Sequence, residues 1–251
     1  MQASIRDLEN WEFGAAGIAN PEVSTLKRYF ELIQTTNAVQ GDIAEFGVSR
    51  GSSIITTGFL SSEMNQKTIY GFDTFSGFPS YSEFDNFEMF NNLYENNAIT
   101  KDHFDRAMKN KGYVLARGAN TEPGNISTSK DFSSTSLEIV QSKIHFFALQ
   151  DKIKLVVGDF TKNLSEKVAK ITFSLVLIDS DLYESYEKIL PIVWNQLAPG
   201  GYIYLDEYYS LKFPGPRIAV DNFVENQKSI LVRLPDWMDF ERWALHKPLN
   251  I

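Results

Sequence analysis

Val23, Leu26, Phe30 and Ile33 recur at three- and four-residue spacing, which lays one apolar face of a helix on a core. Asn20-Pro21-Glu22 ahead of them carries start signals: a capping side chain, a proline at the first helical position and an acid in the first turn. The pattern then shortens. Residues 42–46 read as a strand, followed by the turn Gly47-Val48-Ser49-Arg50-Gly51-Ser52-Ser53 and by Ile54, Ile55 and Leu60 on a further helix. Four more short apolar runs, 68–72, 154–157, 172–178 and 202–205, read as strands, with helices over 136–149 and 182–197 between them. Pro199-Gly200-Gly201 reads as a stop between the second of these helices and the strand that follows. Strands alternating with helices imply the α/β class, with a parallel sheet covered by helices on both faces. Residues 230–234 and 242–246, joined across Pro235-Asp236-Trp237, read as an antiparallel edge pair closing a mostly parallel seven-stranded sheet.

The regular alternation breaks between residues 76 and 134. The first part of this stretch is rich in Asn, acids and aromatics, and the last part is turn-forming and polar. It reads as an insertion, partly helical near 102–111, that serves as a lid and substrate-specificity segment; the alternative is a long surface loop. At 251 residues the chain suits one α/β core with one insertion, so residues 1–251 are expected to form a single domain.

Charge and composition narrow the chemistry. Lys and Arg number 24 against 32 Asp and Glu, a net charge of −8, so the global positive field of a nonspecific nucleic-acid binder is missing. Cysteine is absent, which removes disulfides, thiolate nucleophiles and Cys-ligated metal sites. The three histidines, His103, His145 and His246, have no ligand-like spacing, and each reads as structural, His145 on an apolar helix being the clearest case. Any metal must therefore sit mainly on carboxylates. No segment reads as a leader or approaches 18 uninterrupted apolar residues, so a cytoplasmic protein without membrane partners is expected.

In open α/β sheets ligands bind beyond the carboxyl ends of the strands, and here those ends carry acids: Glu45, Asp73, Asp159, Asp179 with Asp181, and Asp206 with Glu207. A single such acid is explained as well by helix capping; five strand ends in register point to a ligand. The turn from Gly47 to Gly51 allows close approach to a helix N-terminus. It is not the G-x-G-x-x-G of a dinucleotide site, and no Lys-Ser/Thr pair follows it. With Asp73 placed to accept ribose hydroxyls, a ribose-bearing ligand without a pyrophosphate fits best.

The segments Glu45-Phe46-Gly47-Val48-Ser49-Arg50-Gly51, Tyr70-Gly71-Phe72-Asp73-Thr74-Phe75-Ser76-Gly77-Phe78-Pro79 and Gly158-Asp159-Phe160 are joined by Ile178-Asp179-Ser180-Asp181-Leu182-Tyr183-Glu184-Ser185. Pro199-Gly200-Gly201 and Gly215-Pro216-Arg217-x-Ala219-Val220-Asp221-x-Phe223 follow. Together, over roughly residues 40 to 225 and in order, they resemble the macrocin O-methyltransferase family. The resemblance implies a class I methyltransferase, Rossmann-like fold and magnesium-dependent methyl transfer from S-adenosylmethionine to a sugar hydroxyl, on a nucleotide-linked deoxysugar or a glycosylated metabolite. Carried over by position, it implies that Glu45, Gly47 and Gly51 border the methionine end of the cofactor. Asp73 then holds the ribose and Asp159 lies near the adenine. Asp179, Asp206 and Glu207 coordinate Mg2+, Asp179 doubles as general base, and Asp181 is a reserve ligand. Where the family usually shows two aspartates, this chain has Asp206-Glu207.

A hard cation on oxygen ligands suits this chemistry, because it lowers the pKa of a sugar hydroxyl and fixes its direction. Asp179-Ser180-Asp181 is also the acid-x-acid pattern with which a metal-dependent glycosyltransferase holds a nucleotide sugar, and a non-catalytic nucleoside-binding protein is a third reading. Arg217 reads either as a contact to an anionic diphosphate or as a helix-surface residue. Tyr183, Tyr186 and Trp194 read as core aromatics. Phe84, Phe87, Phe90 and Tyr94 either close over a sugar ring or form a small core or dimer contact. A homo-oligomer, dimer or higher, is expected through the N-terminal helix or the insertion.

Overall fold

Phe173–Ile178 forms a strand in which every residue is buried, as expected for the centre of a sheet covered on both faces. The computed structural model describes residues 18–62, 67–116, 132–225 and 230–249. In chain order these form α1 (Lys27–Thr35), β1 (Asp42–Phe46), α2 (Ser52–Ser62), β2 (Ile69–Asp73), α3 (Met89–Glu95), α4 (Lys101–Ala116), α5 (Leu137–Phe146) and β3 (Ile153–Val157). They continue with α6 (Leu164–Val168), β4 (Phe173–Ile178), α7 (Tyr183–Gln196), β5 (Leu197–Leu205), α8 (Gly215–Val224), β6 (Leu231–Trp237) and β7 (Phe240–His246).

The seven strands lie in the order β3-β2-β1-β4-β5-β7-β6. The pairs β1–β2, β1–β4, β2–β3 and β4–β5 are parallel, and β7 runs antiparallel to both β5 and β6. The expected mixed sheet is thus present. One core, with Tyr29, Ile33, Ile54, Ile55 and Ile144, packs α1, α2 and α5 on one face. The other, with Val168, Tyr186, Ile189, Val193 and Val220, packs α6, α7 and α8 on the opposite face. Chain order reverses between β1 and β4, and that crevice is where an open α/β sheet takes its ligand.

Several boundaries move from their expected places, for local reasons. Asn20 caps only a turn, its Oδ1 accepting from Glu22 N at 3.0 Å, and Ser24 Oγ accepts from Leu26 N; α1 therefore begins at Lys27, leaving Val23 64% exposed. Pro199-Gly200-Gly201 does not stop ahead of the strand but lies within β5, which begins at Leu197 and shifts register on β4. Pro235 sits inside β6, at a register shift, and the tight turn is Met238-Asp239, both at positive φ (51° and 62°), the geometry whose twist matches the flanking strands. α6 falls in a stretch with no strong periodicity and escapes the sequence reading. His145 is exposed in the last turn of α5, where a basic side chain faces the negative end of the helix dipole.

The insertion is more helical than expected. A 3-10 turn at Glu83–Asp85 leads into α3 and α4, and Phe90, Leu93, Ile99 and Ala107 form a small core that also packs on Leu211 and Ile218 of the sheet domain. Phe87 and Phe90 belong to this core, while Phe84 lies against Tyr183 and Tyr94 stacks on Phe104. Residues 117–131 of the expected lid lie outside the described residues.

Candidate active site

The turn after β1 and the end of β4 approach each other closely enough to dictate a glycine. A Cβ on Gly47, at φ +97°, would fall 1.8 Å from the carbonyl oxygen of Asp179. Gly47 N donates to Phe72 O and Asp179 N to Phe46 O, so the strand ends are tied side by side at the reversal point. Asp73, closing β2, holds the same turn: its Oδ2 accepts from Ser49 N at 2.8 Å and its Oδ1 from Phe75 N at 2.7 Å. Each oxygen keeps a further lone pair for a ligand hydroxyl.

A cavity of about 200 Å³ opens over this turn, lined by Gly47, Ser49, Asp73, Thr74, Phe78 and Phe160 on one side and by Asp179, Asp181, Asp206 and Glu207 on the other. A second cavity of about 350 Å³ adjoins it, lined by Asp181, Asp206 and Glu207 together with Asn110, Tyr209, Lys212, Phe240 and Arg242. Three acids are common to both. Phe78 and Phe132, which line the first cavity, pack edge-on at 5.1 Å, and Phe78 meets Phe213, which lines the second, at 6.4 Å.

One carboxylate oxygen each from Asp179, Asp181 and Glu207 lies within 4.8 Å of the others. Asp181 adopts a left-handed backbone, φ 63°, in the tight turn between β4 and α7, and this brings the reserve ligand into the group. Asp206 stands just outside the group, its Oδ1 buried without a hydrogen-bond partner and 3.7 Å from Arg242 NH1. Glu207 is 4% exposed, and its Oε2 accepts from the Tyr186 hydroxyl at 2.5 Å, a role beyond the core aromatic expected of Tyr186.

Removal from water, reinforced by Asp206, pushes the Asp179 carboxyl up to about 7. Burial and the neighbouring Asp179 likewise raise Asp181 and Glu207 well above the ordinary carboxylate range; burial raises Asp206, against the pull of Arg242. Crowded carboxylates short of positive charge are the donor set that a hard cation neutralises. Oxygens up to 4.8 Å apart match the span of ligands about 2.0–2.6 Å from a shared Mg2+ or Ca2+. The residues therefore fit a divalent cation.

Three of the expected cofactor residues do not line the first cavity. Glu45 is fully buried beneath the turn; its Oε1 accepts from Ser53 Oγ at 2.5 Å, its Oε2 has no partner, and burial pushes its carboxyl well above its ordinary range. Gly51, at φ +82°, faces Val140 of α5, whose Cγ1 would lie 2.9 Å from a Cβ placed there. Asp159 accepts from Thr161 N and Oγ1 and pairs with Lys162 at 3.1 Å; although burial opposes it, these contacts hold its carboxyl low, and its neighbour Phe160 lines the cavity instead. Arg217 is committed to Asp221 (2.9 Å) and the Ala98 carbonyl, with its guanidinium 4.1 Å over the Tyr208 ring, so it ties α8 to the insertion rather than waiting for a diphosphate. His103 is buried, stacked on Tyr209 and bonded through Nε2 to Ser210 O at 2.7 Å, a structural residue as expected.

Comparison with known proteins decides the family. The profile of the family described as Macrocin-O-methyltransferase (TylF) matches residues 9–117 and 118–235. The chain belongs to the macrocin O-methyltransferase family. It is accordingly an S-adenosylmethionine-dependent O-methyltransferase, which sets aside the glycosyltransferase and non-catalytic readings. Among solved structures, the O-methyltransferase NovP superposes with a TM-score of 0.62 at 20% identity, over 92% of this chain and 81% of that one. CalS11, a calicheamicin methyltransferase, gives 0.65 at 21%, over 96% and 84%. The SAH-bound Podospora anserina methyltransferase PaMTH1 gives 0.51 at 13%, over 96% and 87%. At these identities the likeness shows the fold, a class I methyltransferase Rossmann-like sheet. A sequence search of curated proteins returned no match. No helix among the described residues is long and apolar enough to cross a membrane.

Proposed function

We propose that this O-methyltransferase transfers the methyl group to a sugar hydroxyl of a nucleotide-linked deoxysugar or a glycosylated metabolite, with Mg2+ held by Asp179, Asp181 and Glu207 and with Asp206 beside them. The observation that carries this reading is the position of the acids: Asp181, Asp206 and Glu207 form the shared wall of two adjoining cavities, and Asp179 joins them from the first. The cavity over the glycine turn takes the cofactor, with Asp73 on the ribose and Gly47 beside the methionine end. The larger cavity takes the acceptor. A sugar acceptor is in keeping with the family and with a CalS11 structure described as that of a TDP-rhamnose 3'-O-methyltransferase.

When bound, S-adenosylmethionine supplies an electrophilic methyl group and Mg2+ supplies Lewis acidity and a template for the acceptor hydroxyl. The residues of the chain do the rest. Asp179, next to Gly47 in the wall of the first cavity and grouped with Asp181 and Glu207, which also line the second, accepts the hydroxyl proton on a carboxylate oxygen as general base. Tyr186 orients Glu207 through its 2.5 Å bond, and Phe78, Phe132 and Phe160 keep water from the reacting groups. The segment 76–134 acts as the lid and specificity element, contributing Phe78, Phe132 and Asn110 to the cavity walls. Holding both reactants at one junction supplies much of the remaining rate enhancement.

Calorimetric titration with S-adenosylhomocysteine, with and without Mg2+, tests the reading. Binding in both buffers, with a separate heat for the cation, is expected; failure to bind at high micromolar concentration overturns the cofactor assignment. Asp179→Asn is expected to abolish methyl transfer while cofactor binding survives, and retained turnover rejects Asp179 as base and ligand.

A further inference from the structure

The acceptor-side cavity carries a charge that its protein surroundings leave under-used. Arg242, on β7, is 5% exposed, yet its Nε has no hydrogen-bond partner and its one ion pair among the described residues is to Asp206 at 3.7 Å, too long for a hydrogen bond. A guanidinium offers five N–H donors in a fixed fork, and leaving them unmet in a buried place is unfavourable. It also lines the cavity. Lys212 lines the same cavity, together with Asp181 and Asp206. Two cations therefore stand on the far side of the acids from the cofactor cavity, whereas Arg217 is fully engaged elsewhere.

We propose that Arg242 and Lys212 form an anion subsite that reads a phosphate-class group on the acceptor, so that the enzyme selects a phosphorylated or nucleotide-linked sugar over a neutral glycoside. This rests on the assignment of the larger cavity to the acceptor. A planar fork accepts two phosphate oxygens side by side, and a lysine adds a second charge, matching a dianion better than a single carboxylate. The subsite also selects by omission: a neutral acceptor would leave the Arg242 donors unmet in a desolvated wall.

The test uses the full-length chain, loaded with S-adenosylhomocysteine in metal-free buffer, and titrates inorganic pyrophosphate, inorganic phosphate and acetate into the parent, Arg242→Met, Arg242→Lys and Lys212→Met. Pyrophosphate and phosphate are expected to bind, acetate at least tenfold more weakly. Arg242→Met is expected to weaken pyrophosphate tenfold or more, Lys212→Met less, and Arg242→Lys in between, with S-adenosylhomocysteine affinity unchanged throughout. Equal pyrophosphate affinity in parent and Arg242→Met overturns the subsite and leaves Arg242 as a counter-charge to Asp206. Loss of S-adenosylhomocysteine affinity in Arg242→Met overturns it in favour of a cofactor-carboxylate contact. Failure of the parent to bind S-adenosylhomocysteine sinks the function itself rather than the subsite. Should Arg242→Met not fold, the Lys212→Met and Arg242→Lys series decides: no weakening in either rejects the proposal.

Discussion

Asp85 Oδ1 accepts the backbone N–H of Tyr183 at 2.7 Å, across 98 residues of chain. Leu182, the residue ahead of α7, has no side chain able to cap the helix, so the insertion supplies the cap from a distance. The other oxygen, Oδ2, accepts from Ser82 N and Oγ, both at 3.0 Å, which fixes the 3-10 turn that presents Asp85. The lid segment is thereby fastened to the loop that carries Asp179 and Asp181. Asp85→Ala is expected to lower stability by about 1–3 kcal/mol, from the lost cap and the unmet donors. Divalent-cation affinity should fall with it, because the turn from Asp179 to Tyr183 loosens. Denaturant midpoints and calorimetry check this; an unchanged midpoint rejects the capping role.

Gly47→Ala should be far more damaging than an exposed glycine substitution. Its Cβ meets the Asp179 carbonyl at 1.8 Å and its φ of +97° is unfavourable for any side chain, so one strand end must move. A loss of roughly 3 kcal/mol or more is expected, together with loss of S-adenosylhomocysteine binding. A well-folded variant with parental affinity would contradict the close approach.

Stability should depend on pH with a slope that the cation flattens. Asp179, Asp181 and Glu207 have carboxyls raised in the folded chain, Asp179 to about 7, against about 4 when unfolded. Between those values the folded state binds more protons than the unfolded state, so stability is full below pH about 4 and is lost as pH rises through about 7. In chelator, the melting temperature should fall from pH 5 to pH 8. With saturating Mg2+ the slope should flatten, because the cation takes the place of the protons. Glu45 and Asp85, both buried outside the cation group and also raised, leave a residual slope that Glu45→Gln reduces. Identical slopes with and without Mg2+ would speak against a cation at these acids.

Tyr186→Phe isolates the orientation of Glu207. The hydroxyl lies 2.5 Å from Glu207 Oε2 and 2.8 Å from Ile178 O, while its ring is fully buried and is kept in the variant. Cation affinity should drop about tenfold, and stability by about 1–2 kcal/mol, with cofactor affinity unaffected. A variant indistinguishable in Mg2+ titration would show that Glu207 needs no such support.

The strand ends were legible in the sequence because burial on both faces demands continuous apolar runs, and β4 is the clearest example. The acids that follow them were legible because they interrupt those runs. Arg242 leaves little trace in the sequence. Its only signal is a charge on the inward-facing side of a strand, shared with buried Ala244. Tyr186 gave none, since a hydroxyl aimed at a carboxylate and a ring packed in a core have the same helical spacing.

Periodicity and composition alone carry the order of the strands and of most helices, though not α3, α6 or α8, together with the α/β class, the absence of thiol chemistry and the acids available for a cation. Tertiary structure decided which acids meet. Asp181 joins Asp179 and Glu207 through a left-handed turn, while antiparallel pairing of Leu205 with Trp243 sets Arg242 beside Asp206 and draws that carboxylate aside. It also gave Gly47 its reason, the carbonyl of Asp179. Such contacts across the strand ends join residues from about 25 to well over 100 positions apart, and no local pattern encodes them: they depend on how strand ends are brought side by side when the sheet closes.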